Sequence, residues 1–188
     1  MSDLRFSCTC GALTGHLMDA SPRAGAHAIC HCEDCRRTLA YYNIPLAADE
    51  GVGLFQTNPD NIRIDTGRRY LGLMRLSPRG LFRWYASCCN TPLFNSSTRP
   101  RFPFSSVLTR NMIDTDPLGP VVGQVFKRGP NGKTRHEGMG RLVAGMMLRT
   151  GSALVTGKWR QTPFFNVETG EPVATPVIAP RDAGRAGS

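Results

Sequence analysis

Short apolar segments punctuated by Gly, Pro, Asn and Ser dominate the first two thirds of the chain and predict short strands separated by turns. The segment 12–17 follows Cys8-Thr9-Cys10-Gly11, and 26–29 follows Ser21-Pro22-Arg23-Ala24-Gly25. Further strands are expected over 53–56, 62–65, 70–76 and 81–85. The last two should form a hairpin, because Ser77-Pro78-Arg79-Gly80 places Pro at the second and Gly at the fourth position of a type I turn. A helical period appears late: Met139, Leu142, Val143, Met146 and Met147 recur at the spacing of one helix face. That stripe should pack against the sheet or a second copy of the chain, since Arg141 and Arg149 interrupt the segment and Met fills irregular gaps. A short helix over 34–40 is opened by Glu33-Asp34 and ends before Pro45. Segments 99–104 and 116–120 read as irregular surface connections. The aromatics of 158–165 read as an anchor, and the Pro-, Ala-, Gly- and Arg-rich stretch 172–188 as extended or disordered.

A chain of 188 residues that is 40% apolar is long enough for one domain with a real core. Its first residues show no basic segment leading into an apolar one, and no run approaches the roughly 18 apolar residues that span a bilayer. The expectation is a soluble, cytoplasmic protein with no membrane partner. The formal charge of +9 and pI near 9.7 favour an anionic partner. The basic residues read as scattered singly, without interleaved aromatics, so nucleic acid is only weakly supported.

Cysteine changes the picture most. Seven cysteines, an odd number in a chain expected to stay in a reducing compartment, point to metal binding more than to disulfides. They fall as C-x-C at Cys8 and Cys10, C-x-C-x-x-C at Cys30, Cys32 and Cys35, and the adjacent pair Cys88-Cys89. On a strand, residues two apart share a face, so each C-x-C pair can grip one ion, and a turn after Glu33-Asp34 would return Cys35 to it. Four thiolates close a zinc site, whereas three leave one position open, so four plus three implies one zinc ion for folding and one for chemistry. His31, between the central pair, should face away and serve packing or orientation. Arg36 and Arg37 either meet a substrate carboxylate or are solvated helix residues, and His16, His27 and His136 show no ligand pattern.

Cys8-Thr9-Cys10-Gly11, Cys30-His31-Cys32-Glu33-Asp34-Cys35-Arg36 and the aromatic strand running into Cys89-Asn90-Thr91-Pro92-Leu93 together resemble the signature of the glutathione-dependent formaldehyde-activating enzyme family, which shares its domain with centromere protein V. The resemblance implies a mainly β, β-tent-like zinc domain over 1–110. A C-terminal extension with an amphipathic helix would follow over 111–170, and a flexible tail over 171–188. It also implies a structural zinc on Cys8, Cys10 and Cys89 and an open, catalytic zinc on Cys30, Cys32 and Cys35. The family's last motif is C-x-x-C-G, but here the sequence is Ala86-Ser87-Cys88-Cys89-Asn90. Cys88 either replaces the cysteine missing at Ala86, which requires the chain to turn there, or is merely buried or reactive. The implied activity joins glutathione, or another small thiol, to an aldehyde, as a carbon–sulfur lyase or synthase. The alternatives are a non-catalytic zinc module that binds protein or nucleic acid, and a thiol redox protein using Cys88-Cys89.

Overall fold

The computed structural model describes residues 3–129 and 131–180. In chain order they form β1 (Leu4–Ser7), β2 (Thr14–Leu17), β3 (Gly25–Cys30), α1 (Glu33–Tyr41), β4 (Val52–Thr57), β5 (Ile62–Thr66), β6 (Leu71–Arg75), β7 (Phe82–Ala86), β8 (Thr91–Ser96), β9 (Ser105–Leu108), β10 (Gly123–Arg128), β11 (Thr134–Glu137), α2 (Met139–Val155) and β12 (Pro176–Ile178). The architecture is mainly β with a C-terminal helix, as expected. A three-stranded sheet has the order β1-β2-β5, and a nine-stranded sheet has the order β11-β10-β3-β4-β9-β8-β7-β6-β12. Its six central strands pair antiparallel, while β10 joins β3 and β12 joins β6 in parallel.

The two faces of the large sheet bury different things because side chains alternate along each strand. One face, carrying Phe55, Leu73, Phe82, Trp84, Phe94 and Val107, packs on Leu4, Phe6, Leu17 and Ile62 of the small sheet. The opposite face carries Ala28, Cys30, Val52, Leu108 and Val125, against which α1 sets Leu39 and α2 sets Leu142. The molecule is therefore layered: small sheet, large sheet, helices.

The hairpin expected at 77–80 is present. β6 and β7 pair antiparallel, and the Gly80 N–H donates to the Ser77 carbonyl at 3.1 Å. The aromatic anchor is also real, because Phe164 stacks on Trp84 with ring centroids 4.9 Å apart and Phe165 stacks on Phe82. Two expectations need correction. The stretch from 172 is not a flexible tail throughout: β12 extends the large sheet alongside β6, and Ala179 is buried with its N–H on the Arg75 carbonyl. Residues 181–188 lie outside the described residues. The connection 116–120 is likewise not wholly superficial, since Leu118 is buried in the core between the sheets.

The late helix runs further than its methionine stripe, to Val155. It buries Leu142, Thr150 and Ala153 but leaves Val143, Met147, Leu148 and Val155 exposed. It starts on Gly138, whose left-handed φ of +69° and close approach to the Val122 carbonyl both require glycine. Among the described residues no helix is long and apolar enough to cross a membrane.

Phe164→Ala removes a fully buried ring that contacts both Trp84 and Phe94. It should cost about 3–5 kcal/mol, read as a lowered urea midpoint at unchanged slope.

Candidate metal centres

The structure gathers all seven cysteines into two clusters, Cys8-Cys10-Cys88-Cys89 and Cys30-Cys32-Cys35, with the sulfur atoms in each within 4.8 Å of one another. A tetrahedron with metal–sulfur bonds of about 2.3 Å has edges of about 3.8 Å. In the first cluster Cys10 and Cys88 lie 3.4 Å apart, Cys8 and Cys10 3.6 Å, and Cys8 and Cys88 3.8 Å; Cys88 and Cys89 are also 3.8 Å apart. The donors and spacing therefore fit a four-thiolate metal site.

Local geometry explains how the chain delivers them. Cys8 and Cys10 do not sit on a strand, as alternation would have it, but on the turn between β1 and β2, closed by the Gly11 N–H on the Cys8 carbonyl at 3.0 Å. The Leu13 N–H donates to the Cys8 sulfur at 3.3 Å. Across from them, residues 87–90 form the turn between β7 and β8, and Asn90 takes a left-handed φ of +58°. That turn lets adjacent cysteines point into one cluster, so Cys88 stands where the motif lacks a cysteine. Ala86 itself faces the core between the sheets. The Cys89 thiol is lowered to about 6: burial works against this, but hydrogen bonds from the Thr91 hydroxyl, at 3.1 Å, and from Cys10 prevail.

The second cluster lies at the joint between β3 and α1. Cys30 is the last residue of β3, Cys32 is the N-cap of α1, and Cys35 sits in the first helical turn, its N–H donating to the Cys32 sulfur at 3.4 Å. The strand's alternation thus serves Cys30 alone, and the helix start brings in the other two. The positive end of the helix dipole favours anionic sulfur at this place. Hydrogen bonds from the other two cysteines hold the Cys35 thiol well below its ordinary range despite burial, and the charge of Arg83 adds to this. Hydrogen bonding to Cys32 and Cys35, then burial, pushes Cys30 up. Cys32 is raised too, its bond with Cys30 pulling down but outweighed by Cys35 and burial.

Arg83 escaped the reading of the sequence because it is an interior residue of an aromatic strand, with no motif around it. It is only 4% exposed. Its guanidinium lies 3.6 Å from the Cys35 sulfur, donates to the Asn95 side-chain Oδ1 at 2.8 Å, and lies 3.7 Å from the Asp34 carboxylate. Asn95 in turn donates to Ser106 at 3.0 Å, so a buried polar row crosses from β7 to β9 behind the cluster. Arginine is almost never so buried unless paired, and here its partners are the Asp34 carboxylate, the Asn95 side-chain oxygen and the Cys35 sulfur.

The remaining candidates are placed elsewhere. His31 is outside the cluster and packs against Gly51. The Arg36 guanidinium donates to the backbone carbonyls of Ala47 and Glu50, so it secures the segment after α1. His16 pairs with Asp65 at 3.0 Å and His27 bonds the Gly119 carbonyl, both away from the cysteines. A cavity of about 190 Å³ at the far end of α1 is lined by Tyr41, Tyr42, Tyr85 and Asn90, with the Tyr42 hydroxyl buried and unpartnered; none of the cysteines lines it.

Fold and site together define a mainly β protein with two cysteine clusters of metal-ligand geometry. The chain belongs to the family of unknown function DUF6151, whose family model matches residues 1–176. No curated protein matches it. Among solved structures, it is similar to the crystal structure of a Rhodobacter sphaeroides protein, with 20% identity, 62% of this chain and 96% of that chain covered, and a TM-score of 0.44.

Two outcomes are expected. Arg83→Met should weaken metal binding at Cys30-Cys32-Cys35 by about 10–100-fold in chelator competition while the four-cysteine centre keeps its affinity, and Arg83→Lys should recover part of the loss. Because Cys30 and Cys32 are pushed up and must lose their protons to ligate, loading that centre should release protons and strengthen as pH rises. Calorimetry in buffers of different ionisation heat measures both.

Proposed function

We propose that Cys8, Cys10, Cys88 and Cys89 hold a structural zinc ion, and that Cys30, Cys32 and Cys35 hold a second one at which a small thiol such as glutathione combines with an aldehyde. The observation that carries this reading is the inequality of the two clusters. The first has four sulfurs and is complete. The second has three, with no fourth Cys, His, Asp or Glu among the described residues within reach of all of them. The resemblance of the cysteine motifs to the glutathione-dependent formaldehyde-activating family supports the choice of thiol and aldehyde.

A zinc ion bound by three thiolates would offer its fourth position to a soft donor and draw off the proton of an incoming thiol. The chain's own residues prepare that position. The joint between β3 and α1 fixes the three sulfurs relative to one another. Arg83, buried 3.6 Å from the Cys35 sulfur, would offset the excess negative charge of three thiolates around a dication and so lower the cost of burying the centre. In the addition, a sulfur–carbon bond forms, the carbonyl π pair moves to oxygen, and that oxygen gains a proton from solvent to replace the one the thiol lost. The reverse step releases thiol and aldehyde.

Purified protein should contain two zinc ions per chain. After cobalt substitution, titration with glutathione should change the thiolate-to-metal charge-transfer bands, and Cys35→Ser should abolish the change. Bands that respond to no small thiol would overturn the catalytic reading and leave a protein whose two zinc ions are both structural. Cys10→Ala should unfold the domain, seen as loss of the cooperative thermal transition, because binding at a closed zinc site is coupled to folding.

A further inference from the structure

The basic residues are less scattered than the sequence pattern implied. Lys127 and Arg128 end β10, Lys133 immediately precedes β11 and Arg135 lies in it, so four cations share one hairpin whose acidic residue is Glu137. The hairpin lies at the edge of the nine-stranded sheet, and every residue of β11 is exposed.

Two features of it work against stability. Lys127 and Arg135 are directly opposite in the antiparallel register, a placement in which like charges repel. Neither they nor Arg128 and Lys133 form an ion pair with any described residue; the pairs His16–Asp65 and Arg83–Asp34 lie elsewhere. The register also slips between Gln124 and Lys127, and in that bulge Phe126 adopts a left-handed φ of +60°, which a bulky residue takes only with strain. The bulge turns the Phe126 ring outward, 45% exposed, where it meets His136 edge to face at 4.9 Å. A single charge on an edge strand suffices to deter sheet-to-sheet pairing. Opposed cations beside a strained, exposed aromatic require a different reason.

We propose that this hairpin is a docking arm for single-stranded nucleic acid. Lys127 and Arg135 project from one face of the two-stranded ribbon, and the neighbouring positions Arg128 and Thr134 from the other. A small anion could neutralise only part of that charge, and a flat lipid surface would meet one face. A flexible polyanion can follow both, and binding it converts the repulsion between Lys127 and Arg135 into attraction for phosphates. The Phe126 and His136 rings supply the stacking surface that an unpaired base uses and a paired one does not. This arm lies on β10 and β11, outside both cysteine clusters, and does not depend on the chemistry proposed for them.

The test is fluorescence anisotropy of the full-length, metal-loaded protein with a labelled mixed-sequence 20-mer, across a salt series. Four phosphate contacts give a log–log salt slope of about −3, so affinity should fall about 50-fold between 50 and 200 mM salt. The Lys127→Ala, Arg135→Ala double variant should roughly halve the slope. Phe126→Ala should weaken binding about 5–100-fold with the slope retained. Circular dichroism of both variants should match the parent, as the replaced side chains are exposed. The proposal is overturned if the double variant binds with the parent's affinity and slope, if duplex of the same sequence binds more tightly, or if phosphatidylserine vesicles are bound and the oligonucleotide is not.

Discussion

The contact on which the rest of the structure depends is between two turns. The β1–β2 turn belongs to the small sheet and the β7–β8 turn to the large one, and their four sulfurs converge at spacings of 3.4–3.8 Å. Between the same sheets lies the main apolar core, with Phe6 edge-on to Phe94 at 5.1 Å and Trp84 fully buried. Thiols interact only weakly with one another, but thiolates around an ion would cross-link the sheets at the rim of that core. The core fixes how the sheets face, and the cluster fixes where they meet.

The other side of the large sheet shows how a buried charge organises a site. Arg83 and Tyr85 alternate with Phe82, Trp84 and Ala86 along β7, so one strand sends its aromatic face into the core and its functional face toward α1. Arg83 reaches Cys35 near the start of that helix, and Tyr85 lies tilted on Tyr42 at its end, centroids 5.1 Å apart. The guanidinium is anchored through Asn95 to Ser106 on successive strands. An arginine held this firmly is preorganised, and its charge is fixed in place before any ligand arrives.

Much of this was legible in the chain. Strand runs at 53–56 and 62–65, the Ser77–Gly80 turn and the helical period from Met139 all mark real elements, because each is set by local chemistry and a period of two or 3.6 residues. The spacing of the cysteines marked the Cys30-Cys32-Cys35 group, whereas the joining of Cys8 and Cys10 with Cys89 was implied by the family resemblance. Less legible were β8 to β11. Ser105–Leu108 is buried on both faces and carries two serines, so it shows no alternation of apolar and polar residues; its burial comes from having β4 and β8 on its flanks. β12 was read as tail because its partner β6 lies about a hundred residues earlier.

By itself, then, the sequence determined the class of the fold and the identity of the sulfur donors, since both follow from residue type and short-range spacing. Tertiary structure decided the rest. It made Cys88 a member of the first cluster by turning the chain at Asn90. It placed Arg83 behind the second cluster, 48 positions from Cys35, and set β12 beside β6. The physical reason is common to all three. A charge, a turn and a strand register act on neighbours in space, and which neighbours those are is settled only when distant strands pair.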